Sequence, residues 1–199
     1  MANYIGINTE RLFLRSIRPD DAEAIFKYRS DSITNKYQGW IPRTIDDVHD
    51  FIENKISTSI DINDTWHQFG IILLENLEFI GDVGIHFLDG DSKQVELGCT
   101  LDRNYHGKGL AAEALTRILN YAFIDLDKHR AGTSIDPENI KALALVERLG
   151  FRKEVHSTEG IPRNVKWPDD LYYYILKEDW ICSDRKPFRD EVLLQTSGK

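Results

Sequence analysis

Two glycines one residue apart, Gly107 and Gly109, separate a strand-like run, Val95 to Leu101, from a long amphipathic segment. Glycine in such a turn lets the backbone approach a ligand closely. The unpaired N–H groups of the helix's first turn then point at that ligand, and the macrodipole favours an anion. A pyrophosphate is the natural guest. Arg103 and Lys108 bring positive charge to the same stretch, either to phosphates or simply to solvent. In the run before the turn, Glu96 shares a face with Gly98 and Thr100, opposite Val95 and Leu97. Glu96, His86 on the preceding run, Glu78 and Asp82 are side chains of a type that can move a proton. Each also reads as an ordinary polar-face carboxylate or a packed imidazole.

The turn admits rival readings. Plain strand–helix packing also uses a GxG turn. The segment Gly107 to Ala112 fits the dinucleotide fingerprint GxGxxG/A as well. Against it, the turn follows an antiparallel run of strands, five residues separate Leu101 from the first glycine, and no acid stands at the required spacing beyond. A P-loop fails because Lys108 is followed by Gly109, not by Ser or Thr.

The elements that must hold these residues are legible from period and punctuation. Arg11 to Arg15 alternates as a half-buried strand. Arg18 to Asp21 starts a short helix through Ile25, Phe26 and Tyr28, with Pro and acids in its first turn. Tyr37 to Arg43 is a loop broken by Gly39 and Pro42. Thr44 and Asp47 then form a capping arrangement for a helix whose apolar face is Ile45, Val48, Phe51, Ile52 and Ile56. Trp66 to Leu74, Phe79 to Leu88 and Val95 to Leu101 read as an antiparallel meander. Gly107 to Phe123 is helical, Ala131 to Ile135 a short strand, and Asn139 to Leu149 a helix stopped by Gly150. Leu171 to Leu176 is the last strong strand, and the tail after Trp180 is polar without a usable pattern.

At 199 residues, 41% apolar and 29% charged, the chain suits one globular domain, here 1–180 with an extension 181–199. A net charge of −8 argues against non-specific nucleic-acid binding, which needs clustered cations, and suits a cationic substrate. Cys99 and Cys182 lack the spacing of a disulfide framework or zinc site, so no metal is expected. No apolar run is long enough for a membrane, and Met1 to Tyr4 lacks a signal peptide's character, so a cytoplasmic protein is expected.

The stretch from Val95 to Ala112 resembles motif A of the GNAT superfamily of N-acetyltransferases, with signature Q/R-x-x-G-x-G/A. Asn139 to Phe151 resembles the family's second motif, and Thr9 to Arg15 and Asp170 to Trp180 are similar to its ribosomal-protein N-terminal acetyltransferase branch. Asn104 stands where the signature has Gln or Arg; in the alternative register the position is His106. The resemblance implies an α+β fold with a mixed, mostly antiparallel central sheet flanked by helices and splayed beside Leu101. It implies acetyl-coenzyme A as cosubstrate and a primary amine as acceptor, either a protein N-terminus or a small molecule. The coenzyme would lie on Cys99, Thr100, Leu101, Arg103, Asn104, Tyr105, His106, Gly107, Lys108, Gly109, Leu110 and Ala111, with Asn139 on its far side. Glu96 resembles, by position, the catalytic glutamate of the superfamily's histone acetyltransferases. Tyr37, Trp40 and His86 would border the acceptor, Trp40 offering an aromatic face to a cation. The relatives' general acid, a Tyr or Ser in the second motif, is replaced by Val146 and Ala142. The proton must then come from Tyr172, Tyr173, Tyr174 or water. Otherwise the chain is a silent acyl-coenzyme A-binding module. A homodimer is compatible with all of this.

Overall fold

In a computed structural model the described residues are 3–90, 93–154, 170–183 and 193–196, with backbone alone for 3, 4 and 193–196. Alternation sets the centre of the molecule. Strands β1 (Asn3–Asn8), β2 (Leu12–Ser16), β3 (Thr65–Leu73), β4 (Glu78–Phe87) and β5 (Gln94–Leu101) run antiparallel in sequence order. The meander therefore stands where its period placed it. Beyond it lie β6 (Arg130–Ile135), β7 (Arg152–Lys153) and β8 (Leu171–Leu176), and β9 (Leu193–Thr196) pairs with β1 at the other edge. The order is β7-β8-β6-β5-β4-β3-β2-β1-β9, and β5–β6 is its only parallel pairing among the described residues. The fold is thus α+β with a mixed, mostly antiparallel sheet. The sequence reading had no strand at β1 or in the tail.

One face of the sheet buries Phe69, Ile71, Val83, Ile85, Phe87, Val95 and Leu97. Against it packs helix α3 (Leu110–Asn120), whose Ala114, Ile118 and Leu119 are sealed, continued by a wider turn through Asp125. Eleven residues rarely hold a helix in water. Each large apolar chain removed from solvent contributes about 1.5–3 kcal/mol, so the sheet supplies what the helix lacks. Helix α4 (Ile140–Arg148) joins the same core through Val146 and Leu149. Helix α5 (Lys177–Cys182) anchors by Trp180, whose indole N–H donates to Asn120 at 2.8 Å.

The other face carries α1 (Ala22–Arg29) and α2 (Ile45–Asp50) with their own cluster, Ile17, Ile25, Tyr28, Val48 and Ile52. Thr44 caps α2 as its type requires. Its hydroxyl accepts from the Asp47 N–H at 3.2 Å, while Asp47 accepts from the Thr44 N–H at 2.9 Å. Helix α1 is pinned by charge: Asp82 on β4 accepts from Arg29 Nη2 at 2.5 Å, from Arg29 Nε at 3.1 Å and from the Tyr28 hydroxyl. Burial, helped by the Asp82 charge, pushes the Tyr28 phenol well above its usual range.

His67 on β3 sits in a relay of fixed tautomer. The Ser57 carbonyl can only accept, so Nδ1–H donates to it at 2.9 Å. Nε2 then accepts from the Ser16 hydroxyl at 3.0 Å, and Ser16 in turn accepts from the Ile5 N–H at 3.0 Å. Burial lowers the imidazole from 6.5 to about 4. The unfolded chain therefore binds a proton that the folded chain refuses between those two values. Stability contributed by neutral His67 is complete above pH 6.5 and is lost as pH falls toward 4, by about 3 kcal/mol. Urea unfolding of the wild type and of His67→Gln from pH 7 to pH 4 checks this. The variant should show a shallower loss; equal slopes would refute the assignment.

Candidate active site

The parallel pairing is brief. β5 follows β4 along its length, from Val95↔Phe87 to Leu101↔Gly81, but meets β6 only at Gln94↔Arg130, Val95↔Ala131 and Glu96↔Gly132. Past that point Leu97–Leu101 and Thr133–Ile135 diverge, each still held by its other neighbour. The sheet opens into a V whose vertex is Glu96 and Gly132.

Down one arm of the V, β5 leads to the glycine turn. Asp102 accepts from the Asn104 N–H at 2.9 Å and starts a short 3₁₀ turn, Arg103–Tyr105. Several side chains here are held by the protein itself. Tyr105 donates to Glu78 at 2.5 Å, His106 Nε2–H to the Leu101 carbonyl at 2.7 Å, and the exposed Arg103 pairs with Asp31 at 3.5 Å. Lys108 Nζ lies 5.0 Å from the Tyr105 ring centroid. Beside them the backbone of the turn is open. Gly107 and Gly109 have φ of +74° and +78°, and a Cβ built at Gly107 would meet nothing within 4 Å. Helix α3 begins at Leu110 with no side-chain cap on its first N–H groups. An uncapped helix N-terminus behind two left-handed glycines fits a pyrophosphate. Arg103 is exposed and shares its charge with Asp31.

Along the same arm the Cys99 thiol is buried and pushed up to about 12 by that burial. Thr100 is buried beside Asp82, its hydroxyl without a hydrogen-bond partner among the described residues. Leu101, Leu110 and, in part, Ala111 join the core. Across the opening, Asn139 caps α4 by accepting from the Ala142 N–H at 3.3 Å.

At the vertex, Trp66, His86 and Glu96 are cross-strand partners on one face. The Trp66 and His86 rings stack at 4.8 Å and 7°. His86 Nδ1 is 3.8 Å from Glu96, and Nε2 is 3.5 Å from the exposed Asp64. Opposite Glu96 the Tyr172 hydroxyl fills the place a Cβ on Gly132 would take, which is why glycine stands there. Burial first, then the charge of Glu96, raises the Tyr172 phenol to about 12, so it stays protonated at neutral pH. Of the three tyrosines, Tyr173 is buried on the opposite face and donates to Glu147, and Tyr174 lies under the Arg130 guanidinium at 4.3 Å. Period-2 alternation in β8 already separated Tyr172 from Tyr173.

The loop between α1 and α2 is held by contacts of its own. Trp40 stacks on Phe51 at 4.5 Å, and the cation nearest its ring is the protein's own Arg29, 5.7 Å away. Lys36 lies 4.7 Å from the Tyr37 ring centroid and 3.4 Å from Glu138, tying this loop to the one before α4.

The chain and its fold are similar to known proteins. The profile of the acetyltransferase (GNAT) domain matches residues 11–152. The chain is 32% identical over 176 residues to the N-acetyltransferase YnaD of Bacillus subtilis, covering 87% of this chain and 98% of that one. It is 25% identical over 182 residues to the ribosomal protein uS5-alanine N-acetyltransferase of Escherichia coli, covering 88% and 93%. The crystal structure of a GNAT-family acetyltransferase from Bacillus anthracis superposes with a TM-score of 0.72 at 30% identity, covering 87% and 99%. The family's acetyl donor is acetyl-coenzyme A. With motif, fold and relatives in agreement, the chain belongs to the GNAT family of acetyltransferases.

Proposed function

We propose that this chain transfers an acetyl group to a primary amine, with the coenzyme's pyrophosphate on the Asn104–Ala111 turn and Glu96 as general base. The observation that carries it is the coincidence of Glu96 with the last parallel pair, at the head of the open edge that leads to Gly107. Bound there, acetyl-coenzyme A supplies an activated thioester carbonyl. The residues then divide the work. Glu96 takes the proton of the incoming amine, since amines are mostly protonated at neutral pH. His86, between Glu96 and Asp64, lies on the way from the vertex to solvent. The unpaired edge of β5 offers main-chain groups to the pantetheine arm, and Tyr172, kept protonated, is a donor for the leaving sulfur or the carbonyl oxygen.

A protein N-terminus and a small-molecule amine both remain acceptors for this site, and a compartment without disulfide chemistry suits the free Cys99 and Cys182. The second reading, a silent acyl-coenzyme A-binding module, draws on Val146 and Ala142, neither of which donates a proton from its side chain. Continuous release of free thiol with a panel of amines distinguishes the two; binding without release favours the module.

The turn has its own test. Gly107→Val would strain a left-handed residue whatever the ligand, whereas Asn tolerates that conformation. Gly107→Asn should therefore fold, yet place its side chain in the open space beside the turn, where the phosphates would lie, and weaken coenzyme A binding at least about tenfold, or 1.4 kcal/mol. Calorimetry showing unchanged affinity in the folded variant would remove the pyrophosphate from this turn.

A further inference from the structure

Arg11 stands in the tight turn between β1 and β2, far in sequence from the glycine turn yet bonded to it. The Thr9 hydroxyl accepts from the Leu12 N–H at 2.9 Å, and the Arg11 carbonyl accepts from the Leu74 N–H at 2.9 Å, so the turn itself is fixed. From there Arg11 reaches Glu113 in the first turns of α3. Glu113 Oε1 accepts from the Thr9 hydroxyl at 2.6 Å and from the Arg11 N–H at 2.8 Å. Oε2 accepts from Arg11 Nε at 2.7 Å and lies 2.6 Å from Nη2 as an ion pair. Burial acts to raise this carboxyl, but the Thr9 and Arg11 bonds outweigh it and hold Glu113 below its usual range.

The guanidinium has one further arm. Nη1 donates to the Lys108 carbonyl at 3.0 Å, and Nη2 lies 3.5 Å from the place of a Cβ on Gly109. In a planar trans peptide, C=O and N–H point in opposite directions. Pinning the Lys108 carbonyl toward Arg11 therefore aims the Gly109 N–H away from it, to the open side of the turn. Gly109, with no Cβ to resist, otherwise lets that peptide flip.

We propose that Arg11 is a positioning residue that locks the Lys108–Gly109 peptide so that its N–H faces the anion. This rests on the reading that the turn holds the coenzyme's pyrophosphate. The charge of Arg11 is spent on Glu113, and its contribution to affinity comes through the backbone it holds. Lysine cannot replace it, because one ammonium lacks the planar fork that serves a carboxylate and a carbonyl together.

The experiment uses the full chain, with KM for acetyl-coenzyme A and for S-acetylpantetheine, which lacks the pyrophosphate. Loss of one charge-assisted bond predicts a rise of about tenfold in KM for acetyl-coenzyme A in Arg11→Ala, with kcat at saturation retained. Arg11→Lys and Glu113→Ala should show the same rise, and the Arg11→Ala, Glu113→Ala double variant no more than either alone. KM for S-acetylpantetheine should stay within about twofold. Should Arg11→Ala fail to fold, the gentler Arg11→Lys carries the test. If Arg11→Lys binds normally, or Glu113→Ala tightens binding, Arg11 serves the phosphate as a free charge and the proposal is overturned. An equal rise for both donors would mark general damage, and overturns it too. If the Arg11 variants bind normally while Gly107→Asn does not, the lock is wrong and the pyrophosphate site stands. If Gly107→Asn also binds normally, the site itself is wrong.

Discussion

Glu96→Gln should lower kcat by roughly 10²–10⁴-fold with little change in coenzyme A affinity. The amide keeps the shape and polarity of the carboxylate but accepts no proton, so the loss isolates base catalysis from positioning. Because alkaline solution neutralises the amine on its own, the deficit should narrow as pH rises. Stopped assays of thiol release across pH, beside calorimetric binding of coenzyme A, give both quantities. Full activity at neutral pH would move the base to His86, 3.8 Å away, or to water. A collapse in coenzyme affinity would make Glu96 a binding residue instead.

Asp82→Ala should destabilise the fold by about 3–5 kcal/mol, because it strands the buried Arg29 guanidinium without its counter-charge. Arg29 and Asp82 side chains are 9% and 4% exposed, too little for water to replace the lost partner. Taking both charges into the interior was itself costly, so the pair is no net gain over apolar packing. Replacing all three polar groups, as Tyr28→Phe, Arg29→Met and Asp82→Leu together, should recover most of the loss. Urea unfolding at neutral pH measures each step. A loss below about 1 kcal/mol for Asp82→Ala would mean that water reaches the site. The change would also reach the loop after α1, where Trp40 lies 5.7 Å from that same guanidinium.

Local signals were read well in this chain. The three meander strands, the Thr44 cap, the amphipathic face of α3 and the Gly150 stop each depend on neighbours within a few residues. Residues 3–8 carried a signal too, buried Ile5 and Ile7 in alternation, but Gly6 and two asparagines diluted it. Strand β9 had no such chance, because its partner Asn3–Gly6 lies at the other end of the chain. The same reason hid the Arg11 latch: its partners stand about a hundred positions away, and a lone arginine at a turn reads as a solvated cation. The stacking of Trp40 on Phe51 was not legible, because the two stand eleven residues apart across a loop broken by Gly39 and Pro42. Tyr172 could be narrowed only to three neighbours until Gly132 showed which hydroxyl meets the vertex.

The gap between β5 and β6 also changes how the two halves of the molecule are joined. Backbone hydrogen bonds are directional and fix strand spacing, yet among the described residues the β5–β6 ladder has only three residue pairs, with the Lys93 carbonyl accepting from the His129 and Arg130 N–H groups beside it. Much of the rest of the joint is the shared packing of α3 and α4, through Leu110, Ala114, Val146 and Leu149, with Tyr173 and Phe151. Dispersion and apolar burial prefer density over any one angle, and cores accept volume-conserving exchanges at modest cost. Side-chain volumes behind the sheet thus help to set the width of the opening. A methyl group gained or lost there would re-tune which acyl donors and amines fit, leaving Glu96, His86 and the glycine turn untouched. Descendants of such a chain could change substrates by drift in their hydrophobic core.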